Sequence, residues 1–425
     1  MSKPIPNSLP LGNRAMDRRR FLGLTGGLAA AGIVGGTVGG LSLPGRAAAQ
    51  PATLQSGGQF GDPAQRTLVV VDMEGGNDAL NTFVPQAGRY HDLRPTIALP
   101  DDDLLTFTGL EYGVHPSFAR LQPFWDAGQL SAFYGIGLPQ QSRSHFVAQD
   151  AWRSATPGVP ATSGWLGRWL EATVPSAEIP LRAVSLGRNT LAAQGETGRP
   201  VAVQSVEGYQ LSPPGGNTAV VDAMTAMFDG AGGLLGEAQA ALPATVESVD
   251  QLQGIIAKVS VDGEDFGPDD SATLFAAAQA IIQADVGTQV IYITVGGFDT
   301  HAVQTNIQAA LLESVADGLA AMFDGLAATG HADRTLALTV SEFGRRAAEN
   351  GSFGTDHGNG GLAMLIGPAI AESTVHGGAD LDDLVDGDLP LVLDTRSVYD
   401  NALRWLGGTS GALDGDWSSL DVLVL

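Results

Sequence analysis

TLALTVSEFGRRAAENGSFGTDHGNGG, Thr335 to Gly361, joins an apolar strand to a glycine-rich loop that carries acids, arginines and a histidine. TLALTV is β-branched and apolar without alternation, so it reads as a strand buried on both faces, which implies a parallel sheet covered by helices. Ser341 and Glu342 fall where that strand ends. Open α/β sheets bind ligands in the crevice at the carboxyl ends of their strands, so polar residues at such an end are candidates for chemistry. Asp356-His357-Gly358 lies in the glycine-rich loop and is placed to close over the same crevice.

Three other strands end in the same way. TLVVVDM carries Asp72 at its carboxyl end and runs into the turn Gly75-Gly76-Asn77-Asp78, whose backbone N–H groups are free to approach an anion. LSAFYGIG, from Leu130, leads to Gln141-Ser142-Arg143-Ser144-His145-Phe146. TQVIYITVGG leads to Phe298-Asp299-Thr300-His301. RAVSLG near Leu181 and GLAMLIG from Gly361 read as further strands. Helical spacing of apolar residues predicts helices over His115–Gly128, from Gly164, from Ser271 to about Asp285, over Asn306–Ala328 and over RSVYDNALRWLGG, ending at Gly407. Strands alternating with helices predict an α/β fold, a three-layer sandwich around a mostly parallel sheet that brings the four polar strand ends to one edge.

The 425 residues carry a formal charge of −24 and 44% hydrophobic residues, a globular composition whose acidity opposes nucleic acid and anionic membrane surfaces. With no cysteine there is no disulfide, thiolate site or thiol nucleophile. Arg18-Arg19-Arg20-Phe21-Leu22 has the order of a twin-arginine export signal, followed by a Gly/Ala-rich stretch and Ala47-Ala48-Ala49 for cleavage. The expected organisation is a signal over 1–49, a linker over 50–65 and one domain over 66–425, with an insertion or cap at about 188–270. The mature chain is expected in the periplasm or outside the cell, without a stable membrane span.

Asp72, Asp299, His301, Asp356 and His357 at one sheet edge suit a divalent metal, the oxygens favouring Mg, Ca or Mn and the imidazoles Zn or Mn. The same aspartates also suit helix and turn capping. Ser144 or Ser142 has the place of a nucleophile at a helix start, or of its N-cap. Arg143 and Arg345 have the planar fork that grips phosphate or sulfate. There is no G-x-S-x-G elbow, P-loop lysine, H-E-x-x-H or dinucleotide G-x-G-x-x-G.

VDMEGGNDALN (Val71 to Asn81), SRSHFVAQDAW (Ser142 to Trp152), GWLGRWL, GGFDTHAVQ, SEFGRRAAENGSFGTDHGNGG and DTRSVYDNALRWLG, together with the leader, resemble the bacterial secreted domain-of-unknown-function family fifteen-oh-one. That family in turn resembles the alkaline phosphatase and sulfatase superfamily, which hydrolyses phosphate or sulfate monoesters with a nucleophile beside one or two metals. The resemblance implies metal ligands at Asp72, Asp299, His301, Glu342 and His357 and a nucleophile at Ser144 or Ser142; His145, which follows Ser144, reads from the residues as a catalytic candidate or as an ordinary hydrogen-bonded loop histidine. The chain departs from the superfamily in Glu342-Phe343, where Asp followed by His or Asn is usual, in the short Asp299–His301 spacing, and in lacking C/S-x-P-S-R. A single-metal or altered site therefore stays open. So do two functions: an exported hydrolase of small anionic esters, and a secreted binding or assembly protein without turnover.

Overall fold

The computed structural model describes residues 60–86, 88–173, 181–198, 200–203, 247–256, 271–408 and 411–425. The twin-arginine leader, the linker up to residue 59 and residues 204–246 and 257–270 of the expected insertion or cap lie outside the described residues.

Eleven strands follow in chain order among the described residues. They are β1 (Thr67–Met73), β2 (Phe83–Pro85), β3 (Tyr112–Val114), β4 (Leu130–Gly137), β5 (Ala183–Leu186), β6 (Val201–Val203), β7 (Val290–Val295), β8 (Thr335–Val340), β9 (Gly361–Ile366), β10 (Val375–Gly377) and β11 (Leu393–Asp394). Nine form one sheet in the order β10-β4-β9-β8-β1-β7-β5-β6, with β11 also beside β4, while β2 and β3 pair separately. The unalternating strands β1, β4, β8 and β9 are buried along their whole length.

Alternation along β1 sorts its side chains between two cores, as a period of two requires. Val69, Val71 and Met73 pack with the helices Ser271–Gln283 and Gln304–Ala328 on one face. Leu68 and Val70 pack with residues of the helices His145–Ser154, Trp165–Thr173 and Thr395–Trp405 on the other. The molecule is therefore the expected three-layer α/β sandwich.

All strand pairs in the large sheet are parallel except those of β9, which runs antiparallel to both β4 and β8. That reversal places the site loop. The chain leaves β8 at its carboxyl end and enters β9 at the same edge, so residues 341–360 never cross the sheet. A backbone bond from Gly358 N to Gly344 O at 2.9 Å and one from Arg346 N to Asp356 O at 2.9 Å fold this loop back on itself.

Two helical expectations are corrected. HPSFARLQPFWDAG is not one helix but a 3₁₀ segment, Pro116–Leu121, followed by the short helix Gln122–Asp126. Pro123 has no N–H to give Ala119 and its ring crowds that carbonyl, so the α ladder cannot run through. The long helix begins at Gln304, before the expected Asn306, with Ile307 exposed in its first turn and Leu312, Val315, Leu319 and Met322 buried.

His115 starts the 3₁₀ segment. Its Nδ1 accepts from Ser117 N at 3.1 Å, so the buried ring is held neutral, and burial pushes its pKa down to about 4 despite nearby Asp78. With the folded value below the unfolded ~6.5, the unfolded chain binds more protons between the two. Stability is then complete above about pH 6.5 and falls as pH drops toward about 4. Between pH 7 and pH 5 the wild type should lose about 2 kcal/mol more than His115→Asn, which keeps a capping acceptor but does not titrate. Urea unfolding at the two pH values measures this difference, and equal losses would remove His115 as its source.

Candidate metal centre

The glycine turn after β1 is built by close approach. Gly75 has φ +123°, and a Cβ there would lie 2.7 Å from the carbonyl carbon of Phe298, just before Asp299. The turn's backbone donors serve the protein itself, not an external anion as expected. Gly75 N donates to Glu342 Oε1 at 2.9 Å and Oε2 at 3.0 Å, and Asn77 N donates to Ser341 Oγ at 2.9 Å. The nest thus fixes the carboxylate at the end of β8.

Glu342 in turn fixes a histidine. Its Oε1 receives His145 Nδ1 at 2.9 Å and Gln149 Nε2 at 3.1 Å. Burial works against its charge, but these hydrogen bonds with that of Gly75 hold the carboxyl below its ordinary range. The same bond to Glu342 raises the pKa of His145. Two further imidazoles are held alike: His301 Nδ1 lies 3.1 Å from Asp356 Oδ1, and His357 Nδ1 lies 2.7 Å from the carbonyl of Arg143. Each Nδ1 faces an acceptor, so this network assigns the proton there and leaves the lone pair on Nε2.

All three Nε2 atoms converge on Asp299. His145 Nε2 is 3.3 Å from Oδ2, and His301 and His357 Nε2 are each 3.1 Å from Oδ1. His301 and His357 Nε2 are 2.8 Å apart. Burial opposes ionisation of Asp299, yet the hydrogen bond and the charge of Arg345 bring its pKa down to about 2. Lone pairs of neutral imidazoles aimed at an anion repel unless a proton or a cation lies between them. Among the described residues, His145, Asp299 and His357 form a group whose ligand atoms all lie within 4.8 Å of one another. Two imidazole nitrogens and one carboxylate oxygen, each oriented by an outer partner, are a donor set that suits a divalent metal ion.

Other expected site residues take different places. Asp72 is not at this convergence: its buried Oδ2 receives Arg153 Nε at 3.0 Å, Arg153 Nη2 at 2.7 Å and the Tyr292 hydroxyl at 2.9 Å. That is an anion's partner set, and a cation placed beside the guanidinium would be repelled. Glu342, with both oxygens bonded to Gly75, orients His145. Asp356 does the same for His301. Arg345 is fully buried and its donors go to the carbonyls of Gly75, Gly76, Phe298 and Thr355 and to Asp299 Oδ1, so it braces the turn instead of gripping an anion. Arg143 pairs with Asp388. Ser142 Oγ accepts from Ser144 N at 3.1 Å, whereas Ser144, the exposed N-cap of the helix His145–Ser154, makes no side-chain capping bond.

The residues that sequence reading missed are Gln149 and Arg153. Arg153 Nη1 donates to Gln149 Oε1 at 3.1 Å, linking the Asp72 pair to Glu342 and His145. Their signal was spacing: His145, Gln149 and Arg153 recur every fourth residue, one polar stripe along one helix face.

A mostly parallel α/β sandwich with an imidazole–carboxylate cluster at the carboxyl edge of its strands defines the class. The chain belongs to the family described as a protein of unknown function (DUF1501), which matches residues 104–387. No curated protein matches it. Among solved structures, a protein in the alkaline phosphatase superfamily from Vibrio parahaemolyticus is 12% identical, with a TM-score of 0.41 over 84% of this chain and 68% of that one. PsFucS1 sulfatase from Pseudoalteromonas sp. is 13% identical, with a TM-score of 0.35 over 83% and 73%. The phosphonate monoester hydrolase SpPMH from Silicibacter pomeroyi is 11% identical, with a TM-score of 0.34 over 83% and 78%. The family description carries no activity, so function rests on the site.

Proposed function

We propose that the chain is an exported, divalent-metal-dependent hydrolase of phosphate or sulfate esters. The observation that carries this reading is the convergence of three outward-tied imidazoles on the ionised Asp299, beside the start of a ten-residue helix whose N-cap, Ser144, has an uncommitted hydroxyl. His145, Asp299 and His357 would hold the ion, with His301 and Asp356 at its margin. Bound there, a divalent cation supplies Lewis-acid polarisation of the ester oxygens.

The chain's own groups supply the rest. Ser144 Oγ attacks phosphorus or sulfur as the bond to the leaving oxygen breaks, and its proton passes to a basic imidazole or to water. The leaving oxygen takes up a proton, for which His301 stands nearest solvent among the three imidazoles. Water then cleaves the seryl ester, releasing the inorganic anion and restoring the hydroxyl. Helix N–H dipoles at Ser144 favour an anion at this point.

Export rests on Arg18-Arg19-Arg20-Phe21-Leu22, whose route carries proteins already folded, consistent with a metal acquired beforehand. One observation favours the non-catalytic alternative: Asp72 and Glu342, two of the acids implied as ligands, are bonded inside the protein. The test is metal analysis of the folded protein, then turnover of nitrophenyl phosphate, phosphodiester and sulfate with Zn, Mn, Mg or Ca. Ser144→Ala should lower kcat about 10²-fold or more. No retained metal and no turnover would overturn the hydrolase and leave the binding protein.

A further inference from the structure

Large apolar side chains exposed to water collect on the segments that carry the candidate site. Phe146 and Val147 follow His145, Val303 lies two residues after His301, Phe353 lies three before Asp356, and Val385 lies three before Asp388, the partner of Arg143. Single exposed hydrophobic residues need no explanation. Here five stand on segments that also carry residues of the site, in a chain whose net charge of −24 gives it ample polar residues for such positions.

Two of them also sit in backbone that their side chains disfavour. Val303 has φ 50° and Phe353 φ 60°, the left-handed region, which a β-branched or bulky residue rarely enters. The strain is held in place by a fully bonded loop. Asn350 Oδ1 accepts from Ser352 N at 2.9 Å and Gly354 N at 3.2 Å, and its Nδ2 donates to the His301 carbonyl at 3.0 Å and Asp356 Oδ1 at 3.1 Å. Val303 N donates to Ser352 O at 3.1 Å and Gln304 N to Phe353 O at 2.9 Å, seating one strained segment against the other. The result is that Val303 stays 62% and Phe353 55% exposed, while Phe146 at the neighbouring helix start is 84% exposed. A rigid loop that presents apolar groups at a backbone cost, beside ligand-like histidines, points to function, since such strain persists where it serves a site.

We infer that this collar receives the organic part of the ester, and that the substrate's leaving group is apolar, aryl or alkyl, and not a sugar or another polyol. The inference rests on the ester-hydrolase reading of the same site. Burying a ring against Phe353 and Val303, whose segments are bonded side by side, removes apolar area from water, which a hydroxylated group would not gain from and would have to lose its hydration to enter.

The test compares two phosphonates that cannot be turned over. Phenylphosphonate should bind the zinc-supplemented protein about tenfold more tightly than methylphosphonate by calorimetry. Phe353→Asn and Phe353→Gly, both of which accept positive φ and so relieve the loop, should bring that ratio toward one, as should Val303→Asn. Equal binding of the two phosphonates, binding of neither, or a ratio unchanged in all three variants overturns the proposal. Turnover is read separately. A preserved phenyl preference without hydrolysis would remove the catalytic reading and keep the collar as a recognition surface.

Discussion

Asp299→Asn is expected to abolish metal retention by the folded protein, with a loss in zinc affinity greater than about 100-fold, because removing outer partners alone typically costs roughly 10–100-fold. Asparagine is the informative replacement. It keeps an oxygen to accept from Arg345 Nη2, 2.8 Å away, so the buried guanidinium retains its partner while the charge at the centre disappears. The ionised carboxylate, with its pKa down to about 2, is the group on which the three Nε2 atoms converge, and ionisation is complete at neutral pH. Glu342→Gln tests the next shell. It leaves an acceptor for Gly75 N but weakens the bond that fixes the His145 tautomer, and should cost roughly 10–100-fold in affinity. Calorimetric titration with zinc, with circular dichroism to confirm the fold, measures both. Wild-type affinity in Asp299→Asn would place any metal elsewhere.

The ordering of these effects separates what the residues announce from what only the fold supplies. The buried strands TLVVVDM, LSAFYGIG and TLALTV are legible because continuous apolar runs have few other stable homes, and their shared polar ends follow from a parallel sheet. Asp299, His301 and His357 were legible for the same reason. Asp72 was misread because an acid at a strand end looks alike whether a cation or an arginine faces it, and Arg153 comes 81 residues later on a helix. Arg345 was misread because its partners are mainly backbone carbonyls, which every sequence offers and none marks. The direction of β9 was also silent in the residues, since GLAMLIG is equally apolar either way round. Yet that reversal is what returns TDHG to the site edge. Pro123, by contrast, was an audible breaker that the apolar spacing around it concealed.

Arg94→Met should destabilise the protein by roughly 3–5 kcal/mol, the range for leaving one partner of a buried ion pair alone. Arg94 is fully buried, with Nη1 2.6 Å from Asp78 Oδ2 and 2.6 Å from Asn81 Oδ1, and Nη2 3.0 Å from Asp78 Oδ1. Its remaining donors reach the carbonyls of Ala347 at 2.9 Å and Arg346 at 3.0 Å, so one side chain ties the turn after β1 to the loop after β8. Asp78 meanwhile caps the helix Ala79–Thr82 and accepts from Gln304 Nε2 at 2.6 Å, at the start of the long helix behind His301. Methionine replaces the stem but not the charge, and Asp78 is then left buried with neutral donors. Asp78→Asn in the same chain should recover part of the loss, because the unpaired charge is what is costly, and the pair of single changes should be strongly non-additive. Urea unfolding with unchanged m-values reads all three variants. The same experiment bears on the site. Arg346 and Ala347 directly follow Arg345, so a loosened loop should also weaken zinc binding in Arg94→Met. A loss below about 1 kcal/mol would mean that the pair stabilises no more than exposed ones do, and that the bonds from Arg345, Gly75 and Asn77 suffice to hold the two loops together.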